Sequence, residues 1–315
     1  MTGKKIVILG TGGTIAGTAS AAQDNIGYTA AQVGINELLG SIAALEKLPL
    51  VAEQVAQIDS KDMGLDTWGR LALRCRHWLA QADVAGIVIT HGTDTLEETA
   101  FFLQSVLAPA KPVVLTCAMR PATAVTPDGP QNVLDAVAVA SAAGARGVVV
   151  VCAGTIHAAA DVAKQHTYRL NAFSSGDAGP VGYVEEGQPR LSRNWPEAGP
   201  GLPVRTLQAM TTATQWPRVE IVMSHAGANG RVVEALLAQG VDGLVVAATG
   251  NGTLHHELEA ALVKAQGAGV KVLRATRCAQ GRVIARPDDT LASAGALSPV
   301  KARIALMLEL FAAAA

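Results

Sequence analysis

Lys5-Ile6-Val7-Ile8-Leu9-Gly10-Thr11-Gly12-Gly13-Thr14-Ile15-Ala16-Gly17 joins a short apolar run to a glycine-rich turn. A continuous Ile/Val/Leu run closed by glycine suits a strand buried on both faces, as in a parallel sheet. Six similar runs follow, at 87–90, 113–116, 148–152, 221–223, 244–247 and 270–273. Longer Ala/Leu-rich stretches lie between them. Thr95-x-x-Glu98 is a capping-box pattern opening a helix over 96–107. Pro130 suits the first turn of a helix reaching about residue 143, with Gly144 as its stop. Residues 232–239 end at Gly240, and 301–311 form an amphipathic terminal helix. Strand and helix alternate, which predicts an α/β fold with ligands outside the carboxyl ends of the strands.

The alternation breaks at 185–216, where Pro189, Pro196, Pro200 and Pro203 stand among polar residues without a sustained apolar period. This segment reads as a connector. It leaves a large N-terminal domain over 1–184, with a mostly parallel sheet flanked by helices. A smaller C-terminal α/β domain covers 217–315. Two domains suit a length of 315 residues.

Composition narrows the function. Half of the residues are hydrophobic and 16 % are charged, which excludes a disordered chain. The formal net charge is −1 and aromatics make up 3 %, so nucleic acid and anionic lipid are not expected partners. No apolar run is long enough to span a membrane. Residues 6–9 are too short for the core of a secretory signal. The four cysteines, Cys75, Cys117, Cys152 and Cys278, form no Cys-x-x-Cys pair. Cys117 and Cys152 lie in or beside apolar runs and read as small hydrophobes, which favours a reducing compartment and a cytoplasmic location.

The first turn is not a dinucleotide fingerprint. The sixth position of G-x-G-x-x-G is Ile15, and no acidic residue closes a second strand about twenty residues on. What remains is a hydroxyl, Thr14, presented at a strand end beside Gly12 and Gly13, or else a tight turn with a helix-capping threonine. A second strand ends in Thr90-His91-Gly92-Thr93-Asp94-Thr95. Asp94 or Thr95 could cap the following helix, yet the turn holds more polar groups than a cap requires. A threonine hydroxyl attacks only once a base takes its proton. Tyr28 and Lys164 are candidates, although a tyrosine is commonly a packing group and a lysine commonly solvated. The seven histidines show no metal-ligand spacing, and no Gly-x-Ser-x-Gly elbow is present.

Thr11-Gly12-Gly13-Thr14-Ile15-Ala16 and Thr90-His91-Gly92-Thr93-Asp94-Thr95-Leu96-Glu97-Glu98-Thr99 together resemble the two signature segments of the bacterial-type L-asparaginases. The likeness continues, in order, through Ala118-Met119-Arg120-Pro121, Asp128-Gly129-Pro130, Gly250-Asn251-Gly252 and Ser298-Pro299-x-Lys301-Ala302-Arg303. It covers nearly the whole chain.

The resemblance implies hydrolysis of L-asparagine to L-aspartate and ammonia, with no metal or organic cofactor. It implies a homotetramer, a dimer of dimers, whose sites lie at the intimate dimer interface. Mapped by motif, Thr14 is the nucleophile and Tyr28 its activating neighbour, on a mobile loop of about 16–34. Thr93, Asp94 and Lys164 form a second polar triad. Asp94 also takes the substrate amino group and Ser60 its carboxylate, with Gly13 and Ala118 lining the site. The main-chain N–H groups of Gly13 and Thr93 are candidates for the oxyanion.

Three departures from the pattern stand out. Lys61 occupies a position where many exported members carry glutamine, and is expected at the substrate carboxylate. Arg286 falls where those enzymes take a glutamate from the neighbouring subunit. Cys75 has no partner near 105–110 for the disulfide of some periplasmic members. A dual-specificity glutaminase-asparaginase and a non-catalytic amino-acid-binding protein on the same scaffold are the competing expectations. A nucleotide-dependent oxidoreductase is disfavoured by Ile15.

Overall fold

The computed structural model describes residues 3–213 and 215–314. They fall into two compact units, divided between Thr211 and Thr212.

In the first unit, β1 (Lys5–Gly12) lies inside an eight-stranded sheet. Its parallel neighbours are β2 (Leu50–Ile58) on one side and β3 (Val84–Thr90) on the other. Next to β3 come β4 (Pro112–Thr116) and β5 (Gly147–Cys152), still parallel. The sheet then turns antiparallel through β6 (Thr155–Ala158), β9 (Gly182–Glu185) and β10 (Gln188–Leu191). A separate pair, β7 (Ala163–Lys164) and β8 (Phe173–Ser174), stands in the long connection between β6 and β9.

The continuous apolar runs form the central strands because both of their faces are covered. Ile6 and Ile8 of β1 join Val88 and Val114 in a core with Val133 and Val137 of α4 (Gly129–Ser141). Val7, Leu9, Ile87 and Ile89 are equally buried and, by the two-residue period, point to the opposite face. There α2 (Leu65–Leu79) and α3 (Leu96–Leu107) pack on β3, β5 and each other. Each such side chain removed from water contributes about 1.5–3 kcal/mol. Two short helices follow, α1 (Ile35–Gly40) within this unit and α5 (Val204–Thr212) at its end, its last residue past the division.

The second unit repeats the scheme with a four-stranded parallel sheet. Its order is β11 (Val219–Met223), β12 (Gly243–Ala248), β13 (Lys271–Thr276) and β14 (Ala292–Ser293). Val222, Leu244 and Val246 pack with Val233 of α6 (Arg231–Ala238) and with Leu258 and Leu262 of α7 (His256–Gly267). α8 (Pro299–Ala314) packs on β11, β12 and β13. The mixed α/β class, the larger mostly parallel sheet and the smaller C-terminal sheet agree with the expectation from sequence.

Three features depart from it. Residues 185–216, expected as a connector, carry β10 as the last strand of the large sheet and then α5, with Leu207 and Met210 buried. Pro189 is tolerated because it lies on an edge strand. Arg190 also clamps Glu185 across the hairpin at 2.7–3.0 Å. The capping box at Thr95 is not made. The Thr95 hydroxyl instead donates to the Ser60 carbonyl at 2.7 Å, a tertiary bond that displaces the local one. Strand β2 had no counterpart among the apolar runs, since Glu53, Gln54 and Gln57 interrupt its half-buried edge.

Candidate active site

Strand order decides where a site can form. The chain runs from β1 to β2 on one side and then crosses to β3 on the other. The reversal falls between β1 and β3, and the crevice outside the carboxyl ends of such a pair is where open α/β sheets bind ligands. Gly10 is level with Thr90 in the register. The turn carrying Thr14 and the turn carrying Thr93 therefore leave the sheet side by side.

Glycine lets the two turns touch. Gly13 has φ 83° and ψ −172°, a conformation essentially reserved for glycine. A Cβ there would overlap the Gly92 main chain. A Cβ on Gly92 would come within 2.5 Å of Ser60 Oγ. Three segments are knitted at this point. Thr11 Oγ1 donates to the Thr90 carbonyl at 2.8 Å, the Asp94 N–H to Ser60 Oγ at 3.2 Å, and the Gly13 N–H to the Ile58 carbonyl at 2.9 Å. The last bond corrects one expectation: the Gly13 N–H is already committed, so it is not a free donor for an oxyanion. The Thr93 N–H has no acceptor among the described residues.

Thr14 is buried in a short 3-10 turn, Thr14–Ala16. Its Oγ1 lies 2.7 Å from the Tyr28 hydroxyl. Tyr28 is carried on a loop whose ends are clasped by reciprocal main-chain bonds between Thr18 and Thr29, both 2.9 Å. The loop is seated by Ala122 N–H to Gly17 O at 2.9 Å and Val125 N–H to Ala22 O at 3.1 Å. Its Tyr28 ring lies so close to Gly17 that a Cβ there would approach Cδ2 at 2.9 Å.

The second group centres on Lys164, in β7. Its Nζ donates to Thr93 Oγ1 at 2.8 Å and to Asp94 Oδ1 at 2.7 Å. The Lys164 N–H donates to Glu97 Oε2 on α3, which anchors the lysine from behind. Lys164 is 22 % exposed and Asp94 55 %, so the ion pair is open to solvent on the carboxylate side. Asp94 Oδ2 has no hydrogen-bond partner among the described residues. The capping roles open to Asp94 and Thr95 are thus both unused. Ser60 is buried, its Oγ accepting the Asp94 N–H.

Other candidates are placed differently. Lys61 pairs with Asp59 at 2.7 Å, its side chain 64 % exposed; Asp59 chiefly, then Asp62 and Asp94, raise the lysine pKa. Arg286 is 72 % exposed, 3.8 Å from Asp288, while its N–H donates to Asp289 Oδ2 at 2.8 Å. Ala118 is fully buried, its methyl in the core beneath the first turn with Ile15. Beside it Asp128 accepts the N–H groups of Met119 and Arg120, both at 3.0 Å, and so fixes the loop after β4. Sequence reading quoted Asp128 without assigning it a task. Glu97 was likewise overlooked, although its acidic side chain one turn past the second threonine was a usable signal.

The chain matches two family models, Asparaginase, N-terminal over residues 5–197 and Glutaminase/Asparaginase C-terminal domain over 218–314. The chain belongs to the asparaginase family. Among its relatives, L-asparaginase 2 of Escherichia coli (strain K12) is 37 % identical over 318 residues, covering 97 % of this chain and 88 % of that protein. The Glutaminase-asparaginase of Pseudomonas fluorescens biotype A is 37 % identical over 317 residues, covering 97 % and 86 %. The crystal structure of a probable cytoplasmic L-asparaginase from Campylobacter jejuni superimposes with a TM-score of 0.90 at 36 % identity, covering 98 % of this chain and 95 % of that one. Both units of this asparaginase-family chain therefore fall within the family pattern.

Proposed function

We propose that the protein is an L-asparagine amidohydrolase working through a threonine ester. One observation carries this reading. The Thr14 hydroxyl, paired with Tyr28 at 2.7 Å, and the Thr93–Asp94 pair, held by Lys164 of β7, stand on two turns in main-chain contact at one crevice.

The substrate carries two charges, and each needs a partner once water is excluded. Asp94 Oδ2 takes the α-ammonium group. Ser60 accepts the Asp94 N–H and so retains its own proton for the α-carboxylate. The Thr14 Oγ1 attacks the carboxamide carbon, and the resulting oxyanion is met by the Thr93 N–H. A donor of that kind is worth about 2.7–4 kcal/mol in the transition state. The Thr14 proton passes by way of the Tyr28 hydroxyl to the amide nitrogen, the C–N bond breaks, and ammonia leaves. Water held by Thr93, whose oxygen accepts from Lys164, then attacks the ester. Its proton returns to Thr14 Oγ1 and aspartate departs. Lys61 and Arg286 have no part in this scheme.

A dual glutaminase-asparaginase is the second reading, favoured by the name of the Pseudomonas relative. The two substrates differ by one methylene, worth about 1–3 kcal/mol in discrimination. Ammonia release from L-asparagine and L-glutamine tests both readings. Turnover of asparagine is expected, the ratio of kcat/KM values separates the two, and no release from either by folded protein refutes them together.

A homotetramer completes the proposal. Ile221, Met223, Val232 and Ile284 leave apolar surface on the second unit that association would cover. Light scattering should give four times the chain mass of 32.3 kDa; a monomer at micromolar concentration would exclude it. We place the protein in the cytoplasm because Cys75, Cys117 and Cys152 are buried free thiols, the last two joined by an S–H···S hydrogen bond at 3.7 Å and not by a disulfide. Recovery in a periplasmic fraction would contradict that location.

A further inference from the structure

His91, in the second signature turn, is fully buried and takes no part in the chemistry above. We propose that His91, locked by a hydrogen-bond chain from Trp68 through Thr99, is a positioning residue that aims the Thr93 N–H at the developing oxyanion. The proposal rests on the amidohydrolase reading for its kinetic consequence, and on hydrogen-bond geometry and burial for the lock itself.

The direction of every bond follows from the atoms. The Gly92 carbonyl only accepts, so His91 Nδ1, 2.7 Å away, carries the proton. Complete burial pushes the ring pKa down to about 4, which leaves the ring neutral near pH 7 and Nε2 an acceptor. Thr99 Oγ1, at 2.9 Å, therefore donates to Nε2. The same oxygen accepts from Trp68 Nε1, a donor only, at 2.8 Å. Trp68 is itself fixed on α2 by stacking on Phe102, with centroids 4.8 Å apart. No proton in the chain has a second place to go.

The consequence appears in the next peptide. Among the described residues no peptide bond is cis. In a planar trans unit the C=O and the following N–H point in opposite directions. Drawing the Gly92 carbonyl inward onto His91 turns the Thr93 N–H outward, away from the ring. Gly92 has no side chain to hold its own peptide, and a glycine backbone is otherwise loose. The buried ring supplies that restraint.

Two measurements on the full-length protein test this. The first is ¹⁵N NMR of the imidazoles between about pH 6 and 8, across the ordinary histidine titration range. A neutral Nδ1–H tautomer for His91 is expected; an Nε2–H tautomer or an imidazolium overturns the lock. The second is the pair Thr99→Val and Thr99→Ser, with L-asparagine as substrate. Valine keeps the shape and removes the hydroxyl. A loss of about tenfold or more in kcat is expected, with KM within about threefold, since the donor is misaimed rather than removed. Serine should restore kcat to within about threefold of wild type. An unchanged kcat in Thr99→Val, or a serine variant as damaged as the valine one, overturns the positioning role. If Thr99→Val does not fold, the tautomer and the serine variant still decide. Wild-type protein that releases no ammonia overturns the functional reading instead, and leaves the tautomer measurement standing as the test of the lock.

Discussion

Gly13→Ala strikes the contact on which the crevice depends. At φ 83° and ψ −172° an alanine bears about 1–3 kcal/mol of backbone strain. The larger effect is geometric. The new Cβ would fall on the Gly92 Cα and N, well inside the 3.4 Å at which ordinary contact begins. Both groups are main chain, so no rotamer relieves the overlap. The turns have to part by roughly 1 Å, and a displacement of that size at reacting groups costs on the order of 100-fold in rate. Steady-state ammonia release should therefore show kcat down about 100-fold. Urea unfolding of the same sample should show a loss of about 1–3 kcal/mol, leaving most molecules folded. A folded Gly13→Ala protein with kcat within about threefold of wild type would refute the idea that the two turns act as one site.

Lys164→Met removes the donor to Thr93 and Asp94 while keeping the length of the stem. It should lower kcat by more than it raises KM, and an unaltered kcat would remove Lys164 from the chemistry. Acid stability gives an independent check on two buried rings. Burial lowers the folded pKa of both His91 and His157 to about 4 from 6.5. The unfolded chain then binds protons that the folded chain does not. Each histidine should reduce unfolding free energy by up to about 1.4 kcal/mol per pH unit as pH falls from 6.5 toward 4, and by nothing above that window. Denaturation curves across the interval measure the slope; a flat profile would contradict the burial of both rings. Glu53 adds to the acid loss in the same direction. Its folded pKa lies below the ordinary 4.5, chiefly through the Arg74 hydrogen bonds at 2.5 and 2.7 Å. Its contribution is present above 4.5 and fades as pH drops through the lower folded value, so Glu53→Gln and wild type should converge in strong acid.

The parts of the fold that were legible in the sequence are those fixed by burial. The runs of β1, β3, β4 and β5 are apolar throughout because both faces of each strand are covered. Strand β2 was not legible: it is an edge strand, and Glu53 and Gln54 serve tertiary partners, Arg74 and the Ile35 N–H. The antiparallel strands β6, β9 and β10 are four residues long each, too short for a periodic signal. The same distinction runs through the site. Thr14 and Thr93 could be located from strand ends and glycines, because Gly13 and Gly92 must touch. What each polar side chain does depends on partners remote in sequence. Thr95 was expected to cap its own helix and instead binds Ser60. Lys61, expected at a substrate carboxylate, pairs with Asp59 two residues away. The Gly13 N–H was expected to be free and is taken by Ile58. His91 has no legible role in its motif, because its partners Thr99 and Trp68 lie eight and twenty-three residues away.

The most direct measurement is intact and peptide-level mass spectrometry of protein acid-quenched during turnover of a slow asparagine analogue. An aspartyl ester on the peptide holding Thr14, absent from Thr14→Val, is the predicted result. An ester on Thr93, or none on either threonine while ammonia is being released, would contradict it.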